Sequence, residues 1–292
     1  MDTVDLKLAQ DCEALAVAAS EGVAWLKGVA QQSPTVAQQA PSLVGELQKV
    51  RNQSRKLARA ARRRMCVGVF GPSQAGKSYL VSILASRDGR PLQARFADGT
   101  YDFLREINPP GNRESTGLVT RFGLGLSDVS TDFPVRVRLL TQTDIVKILG
   151  NSFLLDFDHQ KAAFERPDGE AIRKRLSELR AKAAPKPVGD LDSDDVLDLI
   201  EYFDTFFAGI TSELSTEYWR EAIALAPRLS GRDRARLWSV LWYDFEPFTE
   251  LYLTLYEGLS KLAFAPEALL GMDALIPREK SIIDVLTLDK LG

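Results

Sequence analysis

Residues Gly71-Pro72-Ser73-Gln74-Ala75-Gly76-Lys77-Ser78 match the pattern G-x-x-x-x-G-K-[ST], and this stretch decides the fold that the sequence predicts. The glycines allow a tight turn in which successive backbone N–H groups point at one phosphate group. The helix that follows directs the positive end of its dipole at the same anion. Lys77 is expected to contact the β- and γ-phosphates as a catalytic residue, Ser78 to bind Mg²⁺, and Tyr79 to join the nucleotide site. A glycine-rich turn in another α/β unit is the alternative.

The segments around this stretch predict the strands and the helix that the motif requires. The apolar run 65–70 is typical of a buried strand, and residues 77–86 are expected to form a helix. The apolar side chains that this helix should bury are Leu80, Val81, Ile83 and Leu84. Further strands are predicted at 118–124, 135–140 and 281–285. The predicted fold class is therefore α/β, a P-loop NTPase domain preceded by a helical hairpin and carrying a large helical insertion.

A carboxylate at the end of a neighbouring strand is the second Mg²⁺ ligand that such a site requires. Asp284 follows the apolar pair Ile282-Ile283, which suits this role. An ordinary aspartate in a turn after a strand is the alternative. Asp289 begins a D-x-x-G sequence that is typical of guanine-nucleotide sites, but no predicted strand leads directly into it, so Asp284 is favoured.

The first 64 residues carry two apolar stripes whose spacings of three and four are typical of helices. The first stripe consists of Leu8, Cys12, Leu15, Ala19, Val23 and Leu26, and the second of Leu43, Leu47, Val50, Ser54, Leu57 and Ala61. Pro34 and Pro41 are expected to bracket the break between the two helices. The pattern predicts a helical hairpin, or two arms of a bundle that other helices complete.

A run of cations ends the second of these helices. It comprises Lys49, Arg51, Arg55, Lys56, Arg59, Arg62, Arg63 and Arg64. One interpretation is contact with the phosphates of nucleic acid or of an anionic membrane, and the other is a solvated face. The second is favoured because charged helix faces are usually solvated and no aromatic residue interrupts the run, as bases stacking on protein would require. We therefore expect no nucleic-acid partner.

Residues 141–276 are almost wholly helical in pattern and carry an excess of acidic side chains. Thr141 and Asp144 have the spacing of a helix start. Aromatic residues concentrate between Tyr202 and Tyr256, which is compatible with a cofactor cradle. Their helical spacing favours packing in a core instead.

Composition excludes several classes of protein. The chain has 292 residues, of which 45% are hydrophobic and 26% charged, as in a globular protein with a sizeable core. Two cysteines and one histidine make a disulfide framework and a zinc site of the usual kind implausible. No apolar run reaches the length of a membrane span, and the acidic N-terminal residues lack a secretory signal. The expected location is cytoplasmic, and export by a route without a signal stays open.

The loop and two later stretches resemble a known family. Residues 66–80, Ile107-Asn108-Pro109-Pro110-Gly111 and Glu114-Ser115-Thr116-Gly117-Leu118-Val119-Thr120-Arg121-Phe122 are similar to the SrfC family of putative bacterial virulence factors. More distantly, the A-G-K-S ending and the 116–121 stretch resemble dynamin-like GTPases. That resemblance implies GTP rather than ATP, Mg²⁺, and Thr120 as a catalytic switch residue that contacts the metal and the γ-phosphate, with Thr116 as its competitor. It also suggests a membrane role, which rests on analogy alone.

Several departures from the dynamin-like pattern bear on hydrolysis and on base recognition. Gln74 stands where those enzymes have a catalytic serine, and Asp284 is followed by Val285-Leu286-Thr287 with no glycine. About 140 residues separate the predicted strands at 135–140 and 281–285, and no [NT]-K-x-D sequence is present. Because an α/β nucleotide domain needs more strands, the chain is expected to be an N-terminal fragment that ends within the domain.

These observations lead to a domain assignment and to three functional hypotheses. The expected domains are a helical, bundle-type region at 1–64, a P-loop nucleotide-binding core at 65–140, an acidic helical insertion at 141–280, and a third core strand with a truncated end at 281–292. The favoured function is a Mg²⁺-dependent nucleotide switch with slow hydrolysis and self-association through its helices. The alternatives are a non-enzymatic helical scaffold with a structural nucleotide site and, less favoured, an ATP-dependent phosphotransferase.

Overall fold

Two compact units make up the described part of the chain. The computed structural model describes residues 3–63, 66–71, 75–86, 89–96, 99–109, 121, 132–157, 165–211, 214 and 216–276. The first unit combines residues 1–66 with 141–264, and the second combines 67–140 with 265–292. No helix in the described ranges is long and apolar enough to cross a membrane.

A hairpin of two long helices, α1 (Thr3–Ala30) and α2 (Pro34–Ala61), begins the first unit. Pro34 is the first residue of α2, where its missing N–H costs nothing, and the helix continues through Pro41 instead of breaking there. The buried face of α1 consists of Ala9, Cys12, Ala16, Ala19, Val23 and Leu26. Because most of these side chains are small, the two helices can approach closely. Leu8 and Leu15, which the sequence places on the buried stripe, are exposed.

Six α-helices make up most of the rest of the first unit as far as the structure describes it. They are α4 (Gln142–Asn151), α5 (Gly169–Lys182), α6 (Ser193–Thr211), α7 (Thr216–Leu225), α8 (Gly231–Trp238) and α9 (Glu246–Lys261). The predicted start of α4 is confirmed, since the Thr141 hydroxyl accepts from the Asp144 amide at 3.1 Å while the Thr141 amide donates to the Asp144 carboxylate at 2.9 Å.

The aromatic residues of these helices form a packed core, as their spacing predicts. The largest fully buried side chains include Trp238, Trp242, Tyr218 and Tyr252. The hydroxyl group of Tyr218 and the indole N–H of Trp242 find partners inside the core, whereas Trp238 Nε1 has no hydrogen-bond partner among the described residues. Tyr218 Oη donates to the Leu237 carbonyl at 2.9 Å, and Trp242 Nε1 donates to the Thr249 hydroxyl at 3.0 Å.

The second unit contains a short helix and two separate pairs of strands. Helix α3 spans Lys77–Ala85. Strands β1 (Gln93–Phe96) and β2 (Gly99–Asp102) pair antiparallel, with Gln93 opposite Asp102. Strands β3 (Val135–Arg138) and β4 (Glu267–Leu270) also pair antiparallel, with Val135 opposite Leu270.

The predicted α/β P-loop NTPase fold is wrong. Helices account for 69% of the described residues, and the strands found there form only two small antiparallel sheets. Residues 66–70 form no strand, and Val67 and Phe70 are more than 90% exposed. The run lacks the paired neighbours that bury a parallel strand. The predicted strand at 281–285, and all of the one at 118–124 except Arg121, lie outside the described residues.

Candidate phosphate-binding loop

A glycine in the left-handed conformation sets the start of α3. Gly76 has φ 77° and ψ 15° and directly precedes Lys77, the first residue of the helix. A side chain in this conformation costs about 1–2 kcal/mol. No atom lies within 4 Å of the position that a Cβ would take, so the backbone alone imposes this restriction. The left-handed backbone at this position therefore favours glycine.

The first and last parts of the loop are joined by the motif lysine. Lys77 Nζ donates a hydrogen bond to the Gly71 carbonyl oxygen at 2.9 Å. Gly71 itself has φ 155°, which also favours glycine. The ammonium group thus lies over the loop, next to the first turn of a helix whose amide groups have no partners within the helix.

Asn108 fixes the hydroxyl group of the next motif residue. The Asn108 side-chain amide donates to Ser78 Oγ. Asn108 follows a π-helical turn, Phe103–Ile107, that begins where the Asp102 carboxylate accepts from the Leu104 and Arg105 amides at 2.9 Å each. Asn108 is not among the predicted site residues, although the 107–111 stretch carries part of the family resemblance.

The apolar residues of α3 are arranged opposite to expectation. Tyr79, Leu80, Ile83 and Leu84 are exposed, while the polar Ser82 is buried. A helix in the interior of an α/β domain would bury the first set. Tyr79 therefore lies at the surface, two residues after the start of α3.

The described residues contain only part of the predicted site. Gly71, Ala75, Gly76, Lys77, Ser78 and Tyr79 are described, whereas Pro72, Ser73, Gln74, Thr120 and Asp284 lie outside the described residues. Of the three predicted Mg²⁺ ligands, only Ser78 can therefore be placed. Its hydroxyl oxygen is a ligand type that suits Mg²⁺. Within the described ranges, no three His, Cys, Asp or Glu side chains are grouped as metal ligands.

The cationic run on α2, the other candidate for binding phosphates, contacts carboxylates of the same chain. Arg51 and Arg55 both pair with Asp194 at the start of α6, and Lys56 pairs with two further carboxylates of α6. We call this set the ionic clasp: Arg51, Arg55, Lys56, Asp194, Asp198 and Glu201. These three cations therefore do not form a purely solvated face, since each pairs with a carboxylate of α6.

The ionisation of the clasp follows from its geometry. Burial by itself would raise the pKa of Asp198, but hydrogen bonds and charge from Lys147 and Lys56 outweigh it, so this pKa lies below its ordinary value. Burial by itself would lower the pKa of Lys56, and its carboxylate partners raise it above the ordinary value. Both groups are therefore held in their charged forms.

A second buried ionic cluster lies among the helices of the first unit. Arg234 is fully buried, and its guanidinium donates to the Ala226 carbonyl and to Gln142 Oε1 at 2.7 Å each and pairs with Asp190. Tyr256 Oη donates to the same carboxylate at 3.0 Å. These contacts join α4, α8 and α9 to the connection before α6. The cluster is therefore structural, because its polar atoms bind one another.

A known protein family matches most of the chain. Residues 22–292 match the family described as "putative bacterial virulence factor". Because this match covers most of the chain, the protein belongs to that family. The match supports the resemblance to bacterial virulence factors, and it does not show a dynamin-like GTPase domain. No curated protein and no solved structure matches the chain.

Proposed function

We propose that this member of the family binds the phosphate groups of a nucleotide at residues 71–78, together with Mg²⁺, as a molecular switch. The observation that carries the proposal is the left-handed Gly76 directly before α3, with Lys77 folded back onto the Gly71 carbonyl. This arrangement puts one ammonium group, the first amides of a helix and a hydroxyl group beside one loop. That is the donor set that binds nucleotide phosphates.

Each described residue has a definite part in this proposal. The Lys77 ammonium would exchange its carbonyl partner for phosphate oxygens, which carry a full charge and so bind it more strongly. Ser78 would supply its hydroxyl oxygen to Mg²⁺, while Asn108 keeps that oxygen in place. The bound metal would neutralise phosphate charge. Thr120 and Asp284 remain the further metal ligands proposed from the sequence.

The resemblance to dynamin-like GTPases favours GTP over ATP. The same resemblance argues for slow hydrolysis, because Gln74 replaces their catalytic serine. We propose that the protein acts in the cytoplasm, on the sequence grounds given above.

Titration of the full chain with fluorescent GTP and ATP in the presence of Mg²⁺ tests this proposal. We expect saturable binding of one nucleotide, weakened about 10- to 100-fold in Lys77→Ala, because a charge-assisted hydrogen bond contributes about 1.5–3 kcal/mol. Lys186→Ala, which removes an exposed lysine of the first unit, is the control and should bind as the unmodified chain does. Equal affinities of the two variants would refute the proposal.

A helical scaffold with no enzymatic activity is the second candidate function. It is favoured by the first unit, in which the buried ionic groups Asp194 and Arg234 pair with residues of the same chain. If the full chain is folded, as judged by the helical signal in its circular dichroism spectrum, and binds neither nucleotide, the scaffold is favoured over the switch.

A further inference from the structure

The helical hairpin carries an apolar surface on its outside. Its members, the outer stripe, are between 36% and 64% exposed: Leu8, Leu15 and Trp25 on α1, and Leu43, Val50 and Leu57 on α2. Leu8 and Leu15 are seven residues apart, as are Leu43, Val50 and Leu57. A seven-residue repeat of large apolar side chains is typical of helices that pack against further helices.

The outer stripe is separate from the two faces of the hairpin that are already in use. The small residues of α1 face α2, and the clasp cations of α2 face α6. With about 100° between successive helix residues, Val50 lies about 100° around α2 from Arg51, about 140° from Arg55 and about 120° from Lys56. The stripe residue Val50 and the clasp cations therefore lie on different faces of α2.

A groove places three of the stripe residues, Trp25, Leu43 and Val50, on one face of the hairpin. The groove has a volume of about 300 Å³, and its other lining residues are Gly22, Leu26, Leu47 and the acidic Glu46. A Cβ at Gly22 would lie 3.1 Å from a methyl group of Leu47. The groove lies toward the turn of the hairpin, and Leu8 lies toward the opposite end.

We propose that a second copy of this chain covers the outer stripe, so that two hairpins form an antiparallel four-helix bundle about a two-fold axis. A two-fold interface must be self-complementary, with each contact made twice. Antiparallel pairing meets this condition, because Leu8 at one end of each hairpin then enters the groove beside Trp25 of the other copy. Helix bundles of this kind use coiled-coil packing, which the seven-residue repeat supplies.

The area of the stripe agrees with a dimer. From the exposed fractions, the six side chains present on the order of 600 Å² per copy, which gives about 1,200 Å² for the pair, the lower end of specific interfaces. Its apolar character also agrees, because contiguous apolar patches of this size on a soluble chain commonly mark interaction sites.

Sedimentation velocity of the full chain over a range of concentrations tests the dimer. We expect a monomer–dimer equilibrium whose dissociation constant rises at least 100-fold in Leu15→Glu, because each dimer would bury two glutamates. Val17→Glu is the matched control, since Val17 is also exposed on α1 but lies about 160° from Leu15 around the helix. This control should dimerise as the unmodified chain does, and circular dichroism should show both variants folded.

Quenching of tryptophan fluorescence by acrylamide gives a second readout at the stripe itself. Trp219, Trp238 and Trp242 are buried, so quenching reports on Trp25, and the quenchable fraction should rise on dilution. If the chain stays monomeric at about 100 µM, a concentration at which even weak dimers form, the proposal is wrong. The proposal is also wrong if the Leu15→Glu variant still forms the dimer, or if Trp25 is protected from acrylamide in the monomer. An assembly larger than a dimer would contradict it as well.

Discussion

Gly231, the first residue of α8, is the position where a single methyl group should do the most damage. A Cβ there would lie 2.1 Å from Cε1 of Tyr256, whose hydroxyl group holds Asp190. We expect Gly231→Ala to lower the free energy of unfolding by about 2–4 kcal/mol, from overpacking and a lost hydrogen bond. Urea denaturation of the full chain measures this loss.

Gly258, in the same helix as Tyr256, provides the control for this prediction. No atom lies within 4 Å of a Cβ at Gly258. Gly258→Ala should therefore leave stability unchanged or raise it by about 0.5–1 kcal/mol, as alanine does within helices. If the two variants unfolded at the same urea concentration, the close contact with Tyr256 would have no energetic weight.

At the scale of elements, the ionic clasp should hold the hairpin to α6 with measurable coupling. Asp194 is 8% exposed and pairs with two arginines, so removal of one partner leaves a charge away from water. A double-mutant cycle of Arg51→Ala and Asp194→Ala should give a coupling free energy of about 1–3 kcal/mol. Unfolding in urea at low and high salt supplies the four stabilities.

The Arg62–Glu13 pair is the reference for the clasp. It joins α2 to α1, and both side chains are about half exposed. The same cycle on this pair should give less than about 1 kcal/mol, as is usual for surface ion pairs. Equal coupling in the two cycles would mean that partial burial does not strengthen the clasp.

The elements also show what the sequence could and could not predict. The start of α4 can be predicted from a capping pattern that lies within four residues. The turn at Gly76 and the start of α3 at Lys77 can be predicted from the motif in the same way, because local backbone geometry determines each of them. The 65–70 run is predicted to be a strand because short apolar runs are typical of buried strands. Its periodicity alone does not distinguish such a strand from other structures. Asn108 could not be predicted as a partner of Ser78, because the two residues are 30 positions apart.

The hairpin shows a second limit of pattern reading. Hydrophobicity selects Leu8 and Leu15 for the buried stripe of α1, whereas the structure buries Ala9 and Ala16. Close packing of two helices favours small side chains over more apolar ones. The pattern therefore predicts the helix correctly together with four of its six buried positions, and it misplaces the other two by one residue.

At the scale of the whole molecule, stability should fall in acid. The pKa values of Asp190, Asp198, Asp233 and Asp244 lie below their ordinary value, since paired cations outweigh the effect of burial. The unfolded chain then binds more protons than the folded chain near pH 4, so each group contributes stability above its unfolded pKa that is lost as the pH falls through its folded pKa. Burial raises the pKa of Asp195, which contributes in the opposite direction.

The pKa of Glu178 is also lowered, by its hydrogen bond to Arg236. Five carboxyl groups with a lowered pKa against one with a raised pKa set the expected sign. The free energy of unfolding should decrease as the pH is lowered from about 5 to about 3, around the ordinary pKa of aspartate. Urea midpoints measured across this range test the expectation. A midpoint that rises toward pH 3 would contradict it.

The order in which the first unit is assembled from the chain has a consequence for its synthesis. Arg51 and its partner Asp194 are 143 positions apart, with residues 67–140 of the second unit between them. At about 5–20 residues per second, a ribosome takes about 7–30 s to make that interval. During this time Arg51 lacks the carboxylate that it pairs with in the finished chain. We therefore expect the hairpin to join the other helices of the first unit only after α6 has been translated.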